Sequence, residues 1–291
     1  MRLFIAWRYL RLWLPSAGRD HMFRFIVAVL VTLFFASSSW GDDNLFNSVT
    51  AIKDETRRVG NEALQVVTTP FDTDGYGLLG TLATAGAVGL TYVYDNNIRD
   101  KVKLIKSNNL DKATNAGSTI GNPFLHLGIA AAMYGGAIME DSPKYKELGE
   151  MLGESVILAD ATTLVLGQAI GRGRPFLNGG KGNFLPFQFK SNYDSMPSDH
   201  TASSFAMASV LSATTESVMA KISYYAVATF VGFSRIYQDK HWASDVILGA
   251  SIGELCGRVV TRYHGEHGES QLTVAPMVTG NSVSLSLLGR W

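Results

Sequence analysis

The sequence predicts a mostly α-helical protein that ends in a short β-hairpin, and three observations support this prediction. Most of residues 42–265 consists of long segments rich in Ala, Gly, Ser and Thr that are typical of packed helices. In residues 270–291 apolar residues alternate with Ser and Thr on either side of Gly280-Asn281, which indicates a hairpin. The chain has 46% hydrophobic and 17% charged residues, so disorder is excluded and a large core is expected.

The first 41 residues are predicted to be an export segment and not part of the folded domain. Five Arg and one Asp give them a net charge of +4, and Arg24 precedes an apolar run over residues 25–35. Small residues at Ser39 and Gly41 suit a signal-peptidase cut before Asp42, with an uncleaved anchor as the alternative. Either outcome places the body of the protein in the periplasm or at the cell envelope.

The other 250 residues carry 20 basic and 24 acidic side chains, so nucleic acid is excluded as a partner. Seven helices are predicted, over residues 44–68, 76–95, 123–140, 145–171, 199–217, 220–233 and 242–262. Residues 75–94 and 113–139 lack charged side chains and are long enough to span a bilayer of about 30 Å. The later helices are too short or too charged for that, so a compact helical domain, 42–265, is expected.

Several side chains of these helices are predicted to be structural. Gly249, Gly253 and Gly257 repeat at intervals of four residues, which lets another helix approach closely. The lone Cys256 is expected to be an inert core thiol. His126 is expected to be a satisfied core residue, and His264 to lie in a solvated turn.

Three short segments combine cations, imidazoles and helix ends, which points to chemistry on a phosphoryl group. The last of them contains His241 and Asp245 at i and i+4, so a carboxylate can accept the N–H of one ring nitrogen and leave the other free to attack. Arg235 lies just upstream. Such a pair taken alone is more often found on a protein surface than in an active site.

The other two segments add an anion site. Pro197 and Ser198 suit a helix start, whose free N–H groups bind anions, and His200 lies in that first turn. Arg174 offers a planar guanidinium that matches phosphate oxygens. Together these groups can stabilise a phosphoryl group during its transfer without a metal ion.

These residues resemble the type-2 phosphatidic acid phosphatase (PAP2) and vanadium haloperoxidase superfamily. Its motifs are Lys-x6-Arg-Pro, Pro-Ser-Gly-His and Ser-Arg-x5-His-x3-Asp. The third motif is complete, as Ser234, Arg235, His241 and Asp245. The second is present with Asp199 in place of Gly. The first retains Arg174-Pro175 but has Gly167 where the family has Lys. The resemblance covers residues 160–262 and implies a PAP2-like helical bundle.

The resemblance also implies roles. His241 would be the nucleophile that forms a phosphohistidine, Asp245 would orient it, and His200 would protonate the leaving oxygen and later activate water. Arg174, Arg235, Ser198 and the Ser198–Asp199 turn would bind the phosphate. No metal or cofactor is expected. Arg172, Lys181 or Lys190 is expected to supply the cation that Gly167 lacks.

The predicted function is therefore an exported phosphatase that cleaves a lipid or soluble phosphomonoester or a pyrophosphate, with possible membrane association. A vanadate-dependent haloperoxidase and a non-catalytic envelope interaction module are the alternatives. Two further features stay open. The aromatic loop 176–196 is either a lid over a lipid chain or a loop packed on the body, and Asp160 either reaches the site or is a hydrogen-bonded core acid near Thr163.

Overall fold

The computed structural model describes residues 45–73, 75–190, 192–267, 273–279 and 282–288, and side chains within residues 56–266. The predicted export segment, 1–41, lies outside the described residues. The chain divides into two compact units, residues 1–58 and 59–291, and every contact reported below lies within the second. The helices are α1 (Leu45–Thr68), α2 (Gly77–Leu104), α3 (Asn108–Ile120), α4 (Pro123–Met139), α5 (Pro143–Ile170), α6 (Asp199–Ala213), α7 (Val218–Tyr237) and α8 (Ala243–His267).

The described residues are mostly helical, as the sequence predicts. Two single-turn 3-10 helices, Thr69–Phe71 and Pro175–Leu177, join this set. Near the C terminus, β1 (Thr273–Thr279) and β2 (Ser282–Leu288) run antiparallel, with Thr273 opposite Leu288. The predicted hairpin over residues 270–291 and its packing on the helical body stay predictions.

The uncharged stretch 113–139 is not one helix, which corrects the expectation that it could span a bilayer. It is divided between α3 and α4 at Gly121 and Asn122. The Asn122 side chain accepts a hydrogen bond from the N–H of Phe124 at 2.8 Å, and Pro123 occupies the first helical position. These are the start signals of a new helix. The sequence analysis also missed α3 itself and the extension of α2 beyond residue 95.

The centre of the bundle is formed by close contact between α6 and α8, and the three glycines are the reason. A Cβ atom at Gly249 would lie 2.5 Å from the carbonyl oxygen of Ser198, and one at Gly253 would lie 2.1 Å from that of Ala202. One at Gly257 would meet the Ser209 side chain at 2.4 Å. The predicted close approach is confirmed, and α6 is the helix that packs there. This contact brings the start of α6 next to the start of α8.

Much of the helical surface is apolar. In the described part of the chain, α2 is the one helix that is long and apolar enough to cross a membrane, and none of its apolar window is buried. Its exposed side chains include Leu79 and Leu82, each 62% exposed. Other large apolar side chains are exposed on α5 and α7, including Val165, Val218, Met219 and Ile222. This is more apolar surface than a water-exposed monomer usually carries.

The predicted structural residues have mixed outcomes. Cys256 is fully buried, and burial raises the pKa of its thiol to about 12, as expected of an inert core thiol. His126 is buried with its Nδ1 2.7 Å from the Ser203 hydroxyl, so it is the satisfied core residue that was predicted. The prediction for His264 is wrong: this side chain is buried, with Nε2 2.7 Å from a carboxylate oxygen of Glu154.

Candidate active site

His241 lies just before α8 with its ring fully enclosed and one nitrogen fixed. Its Nδ1 is 2.6 Å from the carbonyl oxygen of Ser195, so Nδ1 carries the proton and Nε2 carries the lone pair. Burial, and then the nearby positive charge of Arg174, hold the pKa of His241 well below its usual range. Nε2 is buried and has no hydrogen-bond partner among the described residues. The ring is therefore a neutral imidazole with a free electron pair.

Asp245 does not accept the imidazole N–H directly, which corrects the sequence-based expectation. Its nearest carboxylate oxygen is 3.9 Å from Nδ1 of His241. That oxygen instead accepts the Ser195 hydroxyl at 2.6 Å and the Trp242 N–H at 2.8 Å. The reason is geometric: His241 precedes α8 rather than lying on it, so the i, i+4 relation does not bring the two side chains into hydrogen-bond contact. The carbonyl of Ser195 fills that position.

Asp199 and His200 open α6 and face the same point as His241. The Asp199 oxygen Oδ1 lies 3.1 Å from Nδ1 of His200 and 3.7 Å from Nε2 of His241. Burial opposes ionisation of Asp199, but its contacts with the two imidazoles and the positive charge of Arg174 outweigh burial and hold the pKa of Asp199 well below its usual range. The two imidazoles therefore converge on a single carboxylate oxygen.

Two guanidinium groups also belong to the motifs, Arg174 to the first and Arg235 to the one that contains His241. Arg174 donates from Nε to Asp194 at 2.9 Å, and Arg235 donates from Nη1 to the Ser118 hydroxyl. The Nε of Arg235 is buried and has no hydrogen-bond partner among the described residues. The positive charges of Arg174 and Arg235 both help to lower the pKa of His241. Ser118 and Asp194 set the orientation of these two cations.

Ser198 is less available to a phosphate than the sequence suggested. Its N–H donates to the carbonyl oxygen of Asp245 at 3.1 Å, because α6 begins directly against α8. Its hydroxyl is fully buried and lies 2.9 Å from that of Thr201. No side chain of the described residues caps α6, so the N–H groups of Asp199 and His200 remain the donors that this helix end can offer to an anion.

Of the three residues expected to replace the family Lys, two bond to other groups of the protein. Arg172 is fully buried and bonded to Asp95 at 2.8 Å and to Asp245 at 2.6 Å. Lys181 donates to the carbonyl oxygens of Tyr92 and Val93 at 2.9 Å and 2.7 Å. Both assignments as phosphate ligands are therefore wrong, because these cations have buried or backbone partners. Lys190 is exposed, and its role stays a prediction.

The sequence analysis missed four residues that support the site: Asp95, Ser118, Asp194 and Ser195. Asp95 accepts both the N–H and the hydroxyl of Ser244 in the first turn of α8, at 2.9 Å and 2.6 Å. These residues belong to no motif, and their partners are distant in the chain. Ser195 alone had a signal, since it directly precedes the segment that contains His200.

Asp160 also differs from expectation. Thr163 donates to the backbone carbonyl of Asp160 at 3.0 Å and not to its carboxyl group. The carboxyl oxygen Oδ1 is buried and has no hydrogen-bond partner among the described residues. The prediction that Thr163 satisfies the Asp160 carboxyl group is therefore wrong. Burial raises the pKa of this carboxyl well above its usual range, and the negative charge of Asp199 raises it further, so Asp160 is coupled electrostatically to the site. A direct role of Asp160 in the site stays a prediction.

A second cluster of ionisable groups lies at the other end of α8. Side-chain atoms of Glu62, Glu154 and His264 lie within 4.8 Å of one another and could hold a metal ion. His264 follows Asp245 by 19 residues of helix, which corresponds to about 28 Å. This cluster is therefore remote from the catalytic segments, and metal-free chemistry at His241 stays a prediction.

Comparisons with known proteins place this arrangement in a family. The PAP2 superfamily model matches residues 151–269, which include the three segments. The chain is 44% identical over 68 residues to a lipid A 1-phosphatase of Porphyromonas gingivalis, covering 23% of this chain and 15% of that protein. It is 30% identical over 108 residues to one of Rhizobium johnstonii, covering 36% and 43%. The match thus spans less than half of these curated relatives.

A solved structure shows the same fold. The crystal structure of a transmembrane PAP2-type phosphatidylglycerolphosphate phosphatase from Bacillus subtilis superposes with a TM-score of 0.50 at 21% identity, covering 69% of this chain and 98% of that one. At this identity the likeness concerns the fold alone. Residues 151–269 of this chain thus match the PAP2 superfamily model, and the chain shares its fold with a PAP2-type phosphatase.

Proposed function

We propose that this protein is an envelope phosphatase that hydrolyses the phosphate ester or pyrophosphate of a lipid through a phosphohistidine on His241. One observation carries the proposal. Nε2 of His241 and Nε of Arg235 are both buried without a hydrogen-bond partner among the described residues. A lone pair and a charged N–H donor enclosed in this way suit an electrophile that carries anionic oxygens.

In the first step, the Nε2 lone pair of His241 forms a bond to phosphorus while the bond between phosphorus and the leaving oxygen breaks. The leaving oxygen takes a proton from the imidazolium of His200. The Nδ1 proton of His241 remains on the ring, where the Ser195 carbonyl stabilises the charge that develops. Asp245 supports this geometry through the Ser195 hydroxyl.

In the second step, water attacks phosphorus and gives a proton to His200, which is now neutral. The bond between phosphorus and Nε2 breaks, its electron pair returns to the ring, and inorganic phosphate leaves. His241 and His200 thereby recover their starting protonation states, so the cycle balances. Arg174, Arg235 and the first-turn N–H groups of α6 would hold the non-bridging oxygens in both steps.

Asp199 has a specific place in this scheme. Its carboxylate accepts the Nδ1 proton of His200 at 3.1 Å, so Nε2 is the nitrogen that faces the leaving group. The same contact orients the His200 ring for the proton transfer of the first step. The Asp199 carboxylate also repels the incoming phosphate, so Asp199 positions the acid catalyst at the expense of substrate affinity.

A lipid substrate is supported by three features. The relatives that align with this chain are named for lipid phosphates. The apolar helix α2 and the exposed side chains of α5 and α7 suit contact with a bilayer. In the loop that follows Arg174, Phe187 and Phe189 are 67% and 58% exposed, so these two aromatic side chains are not packed on the body. Of the two interpretations of this loop, we therefore favour the lid over a lipid chain for the part that contains Phe187 and Phe189.

The test is phosphate release by the full-length protein, purified in detergent and reconstituted in vesicles. Lipid A, phosphatidylglycerolphosphate, an isoprenyl diphosphate and p-nitrophenyl phosphate would be compared in the presence of a chelator. We expect the lipid substrates to be preferred and His241→Ala to reduce turnover by about 10³-fold or more. With p-nitrophenyl phosphate, whose leaving group needs no proton, His200→Ala should still transfer a labelled phosphoryl group to His241 but release phosphate slowly.

Several outcomes would contradict the proposal. Bromide oxidation with vanadate and no phosphate release would favour a haloperoxidase, and no turnover of any substrate would favour a non-catalytic envelope module. Export is tested separately by N-terminal sequencing of the protein recovered from the envelope. A mature chain that begins at Asp42 would support cleavage of the predicted export segment.

A further inference from the structure

Arg172 forms a buried ionic bridge between Asp95 and Asp245. Neither Arg172 nor Asp95 is a defining position of the three motifs. Its guanidinium is fully buried and donates from Nη2 to Asp95 at 2.8 Å and from Nη1 to Asp245 at 2.6 Å. It also donates to the Ser244 hydroxyl at 2.7 Å and to the carbonyl oxygen of Lys181 at 3.1 Å. A buried guanidinium with this many partners is held in one orientation.

Aromatic rings enclose the same guanidinium. The ring centroids of Tyr92, Trp242 and Phe184 lie 4.9 Å, 5.3 Å and 5.6 Å from its central carbon atom. These rings belong to α2, to the turn before α8 and to the loop after α5. They exclude water from the bridge, so Arg172 acts on Asp245 at low local dielectric, where its charge has a large effect.

The charge on Asp245 depends on this bridge. Asp245 is completely buried, and burial raises its pKa to about 6 even though Arg172 opposes the shift. Other charged or titratable groups that face Asp245 are His241, 3.9 Å away, and Arg174, which is coupled to it electrostatically. Asp95 bonds to the same guanidinium as Asp245. No other cation of the described side chains bonds directly to Asp245.

We propose that Arg172 is a positioning residue that keeps Asp245 ionised, and that Asp95 on α2 holds Arg172 in place for this purpose. The inference rests on the proposed phosphatase function and extends it. Ionised Asp245 accepts the Ser195 hydroxyl, and the Ser195 carbonyl in turn fixes Nδ1 of His241. The bridge therefore links the packing of α2, the helix that is long and apolar enough to cross a membrane, to the tautomer of the proposed nucleophile.

The experiment compares pH–rate profiles of full-length variants on a lipid phosphate. His241 titrates well below its usual range, so the acid limb of the wild-type profile should follow Asp245. In Arg172→Gln the acid limb should move up by about 1–3 pH units, because a nearby cation lowers a carboxyl pKa by that amount. Arg172→Lys keeps the charge without the two-pronged contact and should move the limb less.

Arg99→Gln is the matched control. Like Asp95, Arg99 lies on α2, and its guanidinium is 5.5 Å from the centroid of the Trp242 ring. It pairs with an acid, Asp239, at 2.6 Å, but it bonds to neither Asp245 nor His241. Its removal should leave the acid limb in place. An equal shift in Arg99→Gln and Arg172→Gln, or an unshifted limb in a folded Arg172→Gln protein, would overturn the inference.

A second variant and a second readout keep the inference testable if Arg172→Gln does not fold or the wild type lacks activity. Asp95→Asn leaves Arg172 and Asp245 intact and should move the limb in the same direction by a smaller amount. The second readout is the pH midpoint of the ¹⁵N chemical shifts of His241, which are assigned by their loss in His241→Gln. This midpoint should move in the same direction as the acid limb, and its measurement needs no substrate. An inactive wild type whose His241 midpoint still moves refutes the phosphatase proposal alone; an unmoved midpoint in Asp95→Asn refutes the bridge.

Discussion

Nδ1 of His241 lies 2.6 Å from the carbonyl oxygen of Ser195. A backbone carbonyl cannot be protonated in the physiological pH range, so the tautomer of His241 does not depend directly on an acid. Asp245 acts on His241 indirectly, through Ser195, since its carboxylate accepts a hydrogen bond from the Ser195 hydroxyl at 2.6 Å. Ser195 therefore joins the acid and the imidazole through one residue, with its hydroxyl facing one and its carbonyl facing the other.

Ser195→Ala should weaken both the fold and the site. It removes one of the hydrogen bonds to a buried carboxylate, so we expect a loss of about 1–3 kcal/mol in the free energy of unfolding and a lower kcat. Denaturant unfolding in detergent and initial rates measure the two effects. Ser251→Ala is the control, because the Ser251 hydroxyl bonds only to a carbonyl of its own helix. Equal effects of the two substitutions would contradict this role of Ser195.

Asp199→Asn should lower kcat and strengthen inhibition by inorganic phosphate. The Asp199 carboxylate lies 3.1 Å from Nδ1 of His200 and orients the proposed acid catalyst, so its replacement should slow the reaction. Inorganic phosphate should bind the variant more tightly, because a negative charge has left the site. Initial rates and a phosphate inhibition constant measure the two effects, and an unchanged inhibition constant would refute the repulsion between Asp199 and phosphate.

Gly167→Lys should raise kcat/KM, by up to about 10-fold, by restoring a cation at the family position. A Cβ atom there would lie 3.8 Å from the Cβ of Asp194, an ordinary contact, so the helix can accept a side chain. Asp194 is the partner of Arg174, which places the new charge beside the proposed phosphate ligands. Gly167→Met controls for side-chain length and helix propensity. Equal kinetics in the two variants would show that the missing cation does not limit the reaction.

Asp160→Asn should stabilise the protein, and more so at high pH. Burial raises the pKa of Asp160 well above its usual range, so the folded state binds the proton more tightly than the unfolded state does. Folding stability therefore falls as pH rises from the ordinary carboxyl range toward the folded pKa. We expect a gain of about 1–3 kcal/mol at pH 8 and little change at pH 4.

Thermal or denaturant unfolding at the two pH values measures this effect. Asp100→Asn on α2 is the control, because that residue is exposed and should change stability by less than about 0.5 kcal/mol at either pH. A gain in Asp160→Asn that is the same at pH 4 and pH 8 would mean that ionisation of Asp160 is not the cause.

Local patterns in the sequence were enough to predict the helical class and the close approach of another helix to α8. The glycine repeat at 249, 253 and 257 encodes close packing through side-chain size alone, and the structure has that packing. The Asn-Pro pair is the local signal for the start of α4, and the predicted helix 123–140 begins there, but the absence of charge over 113–139 wrongly suggested one long span. Helix ends are set by a few hydrogen bonds, so composition alone does not reveal them.

The sequence by itself determined which side chains can carry the chemistry: two imidazoles, two guanidiniums and a helix start, in an order and spacing that match the family motifs. Only the tertiary structure decided how they are held. The Ser195 carbonyl, 46 residues from His241, and Asp95, 77 residues from Arg172, are partners that no spacing rule identifies. A carbonyl is common to every residue and a buried ion pair can form between any two segments that pack together, so such contacts are specified by the fold as a whole.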